Sequence, residues 1–257
     1  MIDVHIHIHN GDYTLEWIDR FVNQAIKMGL NEIFILEHTH QFVEFKQMYE
    51  QVCKYNKHQM DWYNRKFPKS LKEYTALIDK ARKKEYPIKV KFGLEVCYFE
   101  DSEEFIRNIT RSYHFDFVTG SVHWVNGFGF DHKEQVADNI DVDELYQSYY
   151  ETMQLLIKSN LFTGVAHPDS IKCIGHYPSY DLTSTYEELA SLLKEHNMYA
   201  EQSGGLALNY NTSLLGMNEK MLHIFLANDV QIMTASDAHR PEDVGANIKV
   251  LEQLLEE

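Results

Sequence analysis

Seven short β-rich runs alternate with longer helical patterns along this chain, and six of the runs end in residue types that bind metal ions. The runs are 2–8, 32–36, 88–96, 115–122, 162–166, 198–202 and 230–235. Helical patterns lie near 14–29, 70–85, 101–112, 142–160, 184–197, 214–228 and 241–256. Strands alternating with helices argue for parallel β-α-β units. Seven of them fit a (β/α) barrel and also an open sheet. In the first run Ile2, Val4, Ile6 and Ile8 fall on one face and Asp3, His5 and His7 on the other, because a strand repeats every two residues.

The residues at the strand ends carry the chemistry. His5 and His7 close the first run, His38 follows the second, and Glu95 ends the third. His123 follows 117–122, His167 follows Val165-Ala166, and Asp237 and His239 follow 232–236. In parallel α/β folds the C-terminal ends of the strands converge on one face, where active sites are built. These side chains should therefore meet in space. A lone histidine is more often structural than not, but that reading does not explain six strand ends behaving alike. His5 and His7 start roughly 7 Å apart along the strand, close enough to lean toward one cation.

Imidazoles with a few carboxylates suit zinc, iron or manganese better than calcium or magnesium. The candidates outnumber one ion's ligands, so two to three divalent ions are expected. Three such ions carry about +6, of which Glu95 and Asp237 cancel two, and the remainder seeks an anion. Phosphate is the natural occupant, with a metal-bound hydroxide as nucleophile.

Bulk properties narrow the setting. A chain of 257 residues, 44% hydrophobic, with no repeats and no Pro- or Ser-rich linker reads as one domain. Residues 41–87 hold no convincing strand and read as a helical cap-like insertion beside the strand ends. The formal charge of -15 disfavours nucleic acid but leaves room for a small anionic substrate. Cys53, Cys97 and Cys173 are scattered, which argues against a disulfide framework and for a reducing compartment. There is no leader-like N-terminal segment and no apolar run of the ~18 residues a membrane helix needs. A cytoplasmic protein without membrane contact is expected.

Six segments carry a resemblance: Asp3-Val4-His5-Ile6-His7, Leu36-Glu37-His38, Gly93-Leu94-Glu95-Val96, Gly120-Ser121-Val122-His123-Trp124, Ala166-His167-Pro168-Asp169 and the stretch from Ser236 to Gly245. With the Gly127-Phe128-Gly129-Phe130-Asp131 loop, they resemble the PHP (polymerase and histidinol phosphatase) superfamily, in particular its monofunctional histidinol-phosphate phosphatases. The resemblance spans nearly the whole chain. It implies an α/β fold, a distorted (β/α)7 TIM-like barrel over 1–257 with a trinuclear metal centre at the C-terminal ends of the strands. By the family's pattern one metal takes His5, His7, Glu95 and Asp237, and a second takes Glu95, His123 and His167. The third takes His38, His239 and a first-loop histidine, here His9, with Asp12 as the alternative.

The implied activity is hydrolysis of L-histidinol phosphate to L-histidinol and phosphate, in histidine biosynthesis. Glu95, Asp237 and Arg240 are the expected catalytic residues. Arg240 and Lys172 are candidates for the phosphoryl oxygens; the alternative for Arg240 is a surface residue at a helix N-terminus, and for Lys172 a structural role. His40 and His132 could protonate the leaving alcohol or bond to the ligands. Two other readings remain: a phosphatase for a nucleotide or another small phosphomonoester, and a non-catalytic metal-binding or regulatory module, against which the full ligand set argues.

Overall fold

Ile33-Phe34-Ile35-Leu36 is a continuous apolar run, as befits a parallel strand covered on both faces, and all four side chains are buried. The computed structural model describes residues 1–132, 140–210 and 212–256. Its strands are β1 (Ile2–Ile6), β2 (Glu32–His38), β3 (Lys89–Cys97), β4 (Phe117–Ser121), β5 (Trp124–Val125), β6 (Phe128–Gly129), β7 (Gly164–Val165), β8 (Tyr199–Ser203) and β9 (Ile232–Ala235). Seven form one sheet in the order β1-β2-β3-β4-β7-β8-β9, every neighbouring pair parallel. Across the seam, Ile6 bridges Ala238 and the His7 amide donates to the Ala238 carbonyl at 2.8 Å. The sheet is thereby a nearly closed seven-stranded barrel.

Helices surround it: α1 (Leu15–Lys27), α2 (Lys57–Arg65), α3 (Leu71–Ala81), α4 (Glu103–Arg111), α5 (Val142–Lys158), α6 (Thr183–Glu195), α7 (Gly205–Tyr210), α8 (Glu219–Ala227) and α9 (Ile248–Leu254). Local chemistry explains their starts. Thr14 caps α1 by accepting the Trp17 amide, and Ile18, Phe21, Val22 and Ala25 then recur on one buried face. Ser70 and Glu73 form a capping box on α3. Between β2 and β3, residues 41–87 contain 3-10 turns at Val43–Tyr49 and Val52–Lys54, then α2 and α3. No described helix is long and apolar enough to cross a membrane.

Two apolar clusters show which way each strand faces. Val4, Phe34, Leu36, Phe117, Tyr199 and Ala235 form a small cluster, while Ile6, Ile8, Ile33 and Ile35 belong to the large one shared with the helices. Val4 and Ile6 therefore do not share a face, contrary to the simple alternation. The pairing of β1 with β2 is irregular between Asp3 and Ile6, and such a bulge re-aims the side chains that follow it. This break lets His5 and His7 face inward beyond Val4.

Other departures have similar local causes. Asn126 and Gly127 both have positive φ (51° and 78°), the type I′ geometry that joins β5 to β6 as a hairpin. The expected last helix, 241–256, is broken by left-handed Gly245 and Asn247, so α9 starts only at Ile248.

Asp3 ties the seam to the last loop. Its fully buried carboxylate accepts the amides of Ser236 and Gly245, each at 2.9 Å. Asp3→Ala should cost about 1–3 kcal/mol for each donor orphaned, measured by chemical denaturation. Burial holds this carboxyl up at about 6 against an ordinary 3.8, despite the bonds it accepts. Between those values the folded chain keeps a proton that the unfolded chain releases, so this group's contribution to stability falls as pH rises through the window. The deficit of Asp3→Ala should accordingly be largest below pH 4 and shrink toward pH 6; a deficit that grows over that range contradicts the account.

Candidate metal centre

Register brings the strand ends to one level. His38 on β2 pairs with Glu95 on β3, and Glu95 pairs with Thr119 on β4. Glu95, 1% exposed, lies at the centre of the cluster. Its Oε2 lies 3.4 Å from His5 Nε2 and 3.5 Å from His7 Nε2. Its Oε1 lies 2.9 Å from His123 Nε2 and 3.3 Å from His167 Nε2. Asp237 Oδ1 joins the first group, 3.4 Å from His7 Nε2 and 3.7 Å from His5 Nε2. His38 Nδ1 abuts Glu95 Oε2, while its Nε2 is 3.5 Å from His239 Nε2.

His9 is placed less tightly. Its ring stands 5.3 Å from that of His239, yet the ligand atoms of His38 and His239 converge within 4.8 Å on one of His7. Asp12 is exposed and lines a different groove with Lys69.

Carboxylates behind the rings set their orientation. Glu201, fully buried on β8, holds His5 Nδ1 with both oxygens at 3.0 and 2.9 Å and accepts the His167 amide at 3.2 Å. Asp131 holds His123 Nδ1 at 2.8 Å, and Glu37 holds His9 Nδ1 at 3.2 Å. A ring that donates Nδ1–H in this way leaves the Nε2 lone pair free for a cation. The backbone is left-handed at His167 and Asp237, with φ of 30° and 58°. A Cβ at Gly205 would lie 2.3 Å from Asp237 Oδ2, so only glycine lets α7 start against that carboxylate.

Charge balance in this cluster is unusual. Burial raises the Glu95 carboxyl, but His38, His123 and His167 pull it well below its ordinary range. Burial also opposes ionisation of Asp237, yet His7, His239 and His5 hold it far down. Burial and the neighbouring His38 and His239 push His7 well below its usual range. Burial would do the same to His5, but Glu201 overrides it and holds that imidazole well up.

His5 Nε2 and His7 Nε2 stand 2.9 Å apart, where at most one proton fits between them. Buried His7 Nδ1 and His167 Nδ1 have no hydrogen-bond partner among the described residues. Lone pairs crowded together without donors fit divalent cations and little else.

A cleft of about 400 Å³ opens over the cluster, and His40 and His132 both line it. The His40 ring stacks on His38 at 4.6 Å, and the His132 ring lies 5.6 Å from the rings of Trp62 and Trp124.

Two expected phosphate contacts are not in this cleft. Arg240 is exposed, in extended backbone (φ −141°, ψ 152°) that turns successive side chains to opposite sides, so His239 faces the cleft and Arg240 does not. Lys172 is 4% exposed, its Nζ held by Asp169 at 2.8 Å and by the Gly216 carbonyl. Glu37, Glu201, Asp131, Trp62 and Lys66 also line or support the centre, and no motif in the sequence assigns them a role. Glu201 lies at the end of 198–202, the one run of the seven given no such residue, so the strand-end rule applied to the other six finds it.

Fold and site define a class: a parallel seven-stranded barrel with a histidine- and carboxylate-rich candidate metal centre at the mouth of its strands. The chain belongs to the PHP domain family, whose model matches residues 3–203. A relative from Deinococcus radiodurans, named "Probable histidinol-phosphatase", is 30% identical over 203 residues, covering 72% of each chain. One from Schizosaccharomyces pombe with the same name is 21% identical, over 97% of this chain and 85% of its own. Among solved structures, histidinol phosphate phosphatase from Lactococcus lactis, complexed with zinc, L-histidinol and phosphate, aligns with a TM-score of 0.71. It is 20% identical over 99% of this chain and 92% of its own, a likeness of fold.

The hydrogen bonds of Glu201 generate a prediction. Glu201→Gln offers His5 Nδ1 a weaker partner and should weaken metal affinity about 10- to 100-fold, read by competition against a chromogenic chelator. Unchanged affinity would mean that Glu201 does not orient His5 toward a cation.

Proposed function

We propose that this chain is a metal-dependent phosphomonoesterase that hydrolyses L-histidinol phosphate to L-histidinol and phosphate. The observation that carries the reading is Glu95 placed between two imidazole groups, Oε2 toward His5 and His7 and Oε1 toward His123 and His167. We assign two to three zinc, iron or manganese ions to these groups. Asp237 completes the first, and His38, His239 and His9 form the third. The names of the relatives and the ligands of the Lactococcus lactis structure support the substrate.

When bound, such ions activate water and neutralise phosphoryl oxygens. The chain's own residues fix the geometry: Glu201, Asp131 and Glu37 hold the rings of His5, His123 and His9. Asn209 donates to Asp237 Oδ2 at 3.0 Å and steadies that carboxylate. Burial, then His38 beside it, depresses His40 well below its usual range, and burial also lowers His132. Both are therefore neutral rings near pH 7. Each can give one N–H hydrogen bond to the leaving oxygen and orient it.

The purified protein should carry two to three equivalents of transition metal and lose activity in strong chelator. In a phosphate-release panel, L-histidinol phosphate should be the best substrate by kcat/KM. Full activity in chelator would overturn the metal dependence, and faster release from a nucleotide would overturn the substrate. Glu95→Gln should lower kcat by more than ~10³, as for loss of a principal electrostatic element. A loss under about tenfold with metals retained would remove Glu95 from its bridging place.

A further inference from the structure

The cleft is walled by histidines, carboxylates and aromatic rings. Among the described residues lining it, Lys66 is the single lysine or arginine. It caps the C-terminal end of α2, and its Nζ lies 5.5 Å from the centre of the Trp62 ring. Among the described residues it forms no ion pair or hydrogen bond through Nζ. Burial, with Arg65 alongside, pulls this ammonium below its ordinary range, and Asp131 acts only partly against that. A cation drawn out of water without a full counter-charge is unfavourable, and an anion in the cleft relieves it.

The two cations that the sequence pointed to, Arg240 and Lys172, lie outside the cleft. We propose that Lys66 is a substrate-binding residue, its ammonium contacting the phosphoryl group of the substrate and of the product phosphate. This rests on reading the site as that of a phosphomonoesterase. On that reading the phosphoryl group is the substrate's only anion. The amino group of L-histidinol phosphate would be repelled by Lys66, so the contact belongs to the phosphoryl end. An ammonium acts there as a point charge, and a guanidinium at the same position keeps that charge.

The test is inorganic phosphate binding to the metal-loaded protein, followed by calorimetry, in wild type, Lys66→Met and Lys66→Arg. Lys66→Met keeps an apolar stem over Trp62 and should weaken phosphate about tenfold or more, the size of a lost hydrogen bond to a charged group. Lys66→Arg should retain most of the affinity. With p-nitrophenyl phosphate, KM should rise in Lys66→Met more than kcat falls. A purely structural role would lower Tm and leave phosphate affinity within about twofold, and that result overturns the proposal. Lys66→Gln gives the same reading should the methionine variant not fold. A wild type that cleaves p-nitrophenyl phosphate but not L-histidinol phosphate would defeat the proposed substrate alone, with the phosphate titrations still deciding Lys66. A wild type that binds no phosphate overturns both.

Discussion

Glu95 is a carboxylate almost wholly removed from water, and imidazoles alone answer its charge among the described residues. Burying an anion costs several kcal/mol unless it is closely compensated, so the mouth of the barrel is organised around that need. Strand register sets His38 beside it. The irregularity in β1 turns His5 and His7 toward it, although Val4 already occupies the inner cluster. Left-handed backbone at His167 and Asp237 turns the chain at two more strand ends. The break in β1 and the two left-handed residues are unusual backbone, and together with the register they bring these side chains to one cluster.

Behind the histidines stands a second set of negative charges. Counting only Glu95 and Asp237 left a cluster of three divalent ions with a large positive excess. Glu37, Asp131 and Glu201, all bonded to imidazoles, bring the carboxylates to five. Against about +6 from three divalent ions, five carboxylates leave a site close to neutral. Anion affinity then depends far more on any fixed cation nearby, which gives the position of Lys66 its weight. The histidines also acquire defined tautomers, because a carboxylate at Nδ1 leaves Nε2 as the lone-pair end.

The barrel and most of the centre were legible because topology, and not side-chain detail, brings parallel strand ends together. A histidine or carboxylate after an apolar run is then a position in space as well as in sequence. What escaped depended on backbone geometry or burial. Nothing in the Ile-Val-Ile alternation reveals a bulge, so the faces of β1 were misread beyond Val4. The β5–β6 hairpin was missed although Asn126-Gly127 is its usual signature. Arg240 follows His239 directly, but extended backbone sends it the other way. Lys172 looked free because its partner Asp169, three residues earlier, was read as part of a motif. Lys66 lies in a stretch without strand periodicity, where sequence gives no hint of which side chains reach the cleft.

The two ends of the barrel interior are filled by different means. Toward the bottom, Phe34 and Phe117 pack at 4.6 Å, and the hydroxyls of Thr119 and Tyr199 meet at 2.6 Å. Those contacts are intrinsic to the chain. At the mouth, ligand atoms from six strand ends face one another, and only His5, His7 and His9, and Asp237 with His239, lie close in sequence. An unfolded chain has no such cluster, so the free energy of any cation bound there is added to that of folding. A metal-depleted chain should consequently fray from the mouth while its base stays protected against amide exchange. The barrel has one stopper made of its own residues, and bound cations would supply the second.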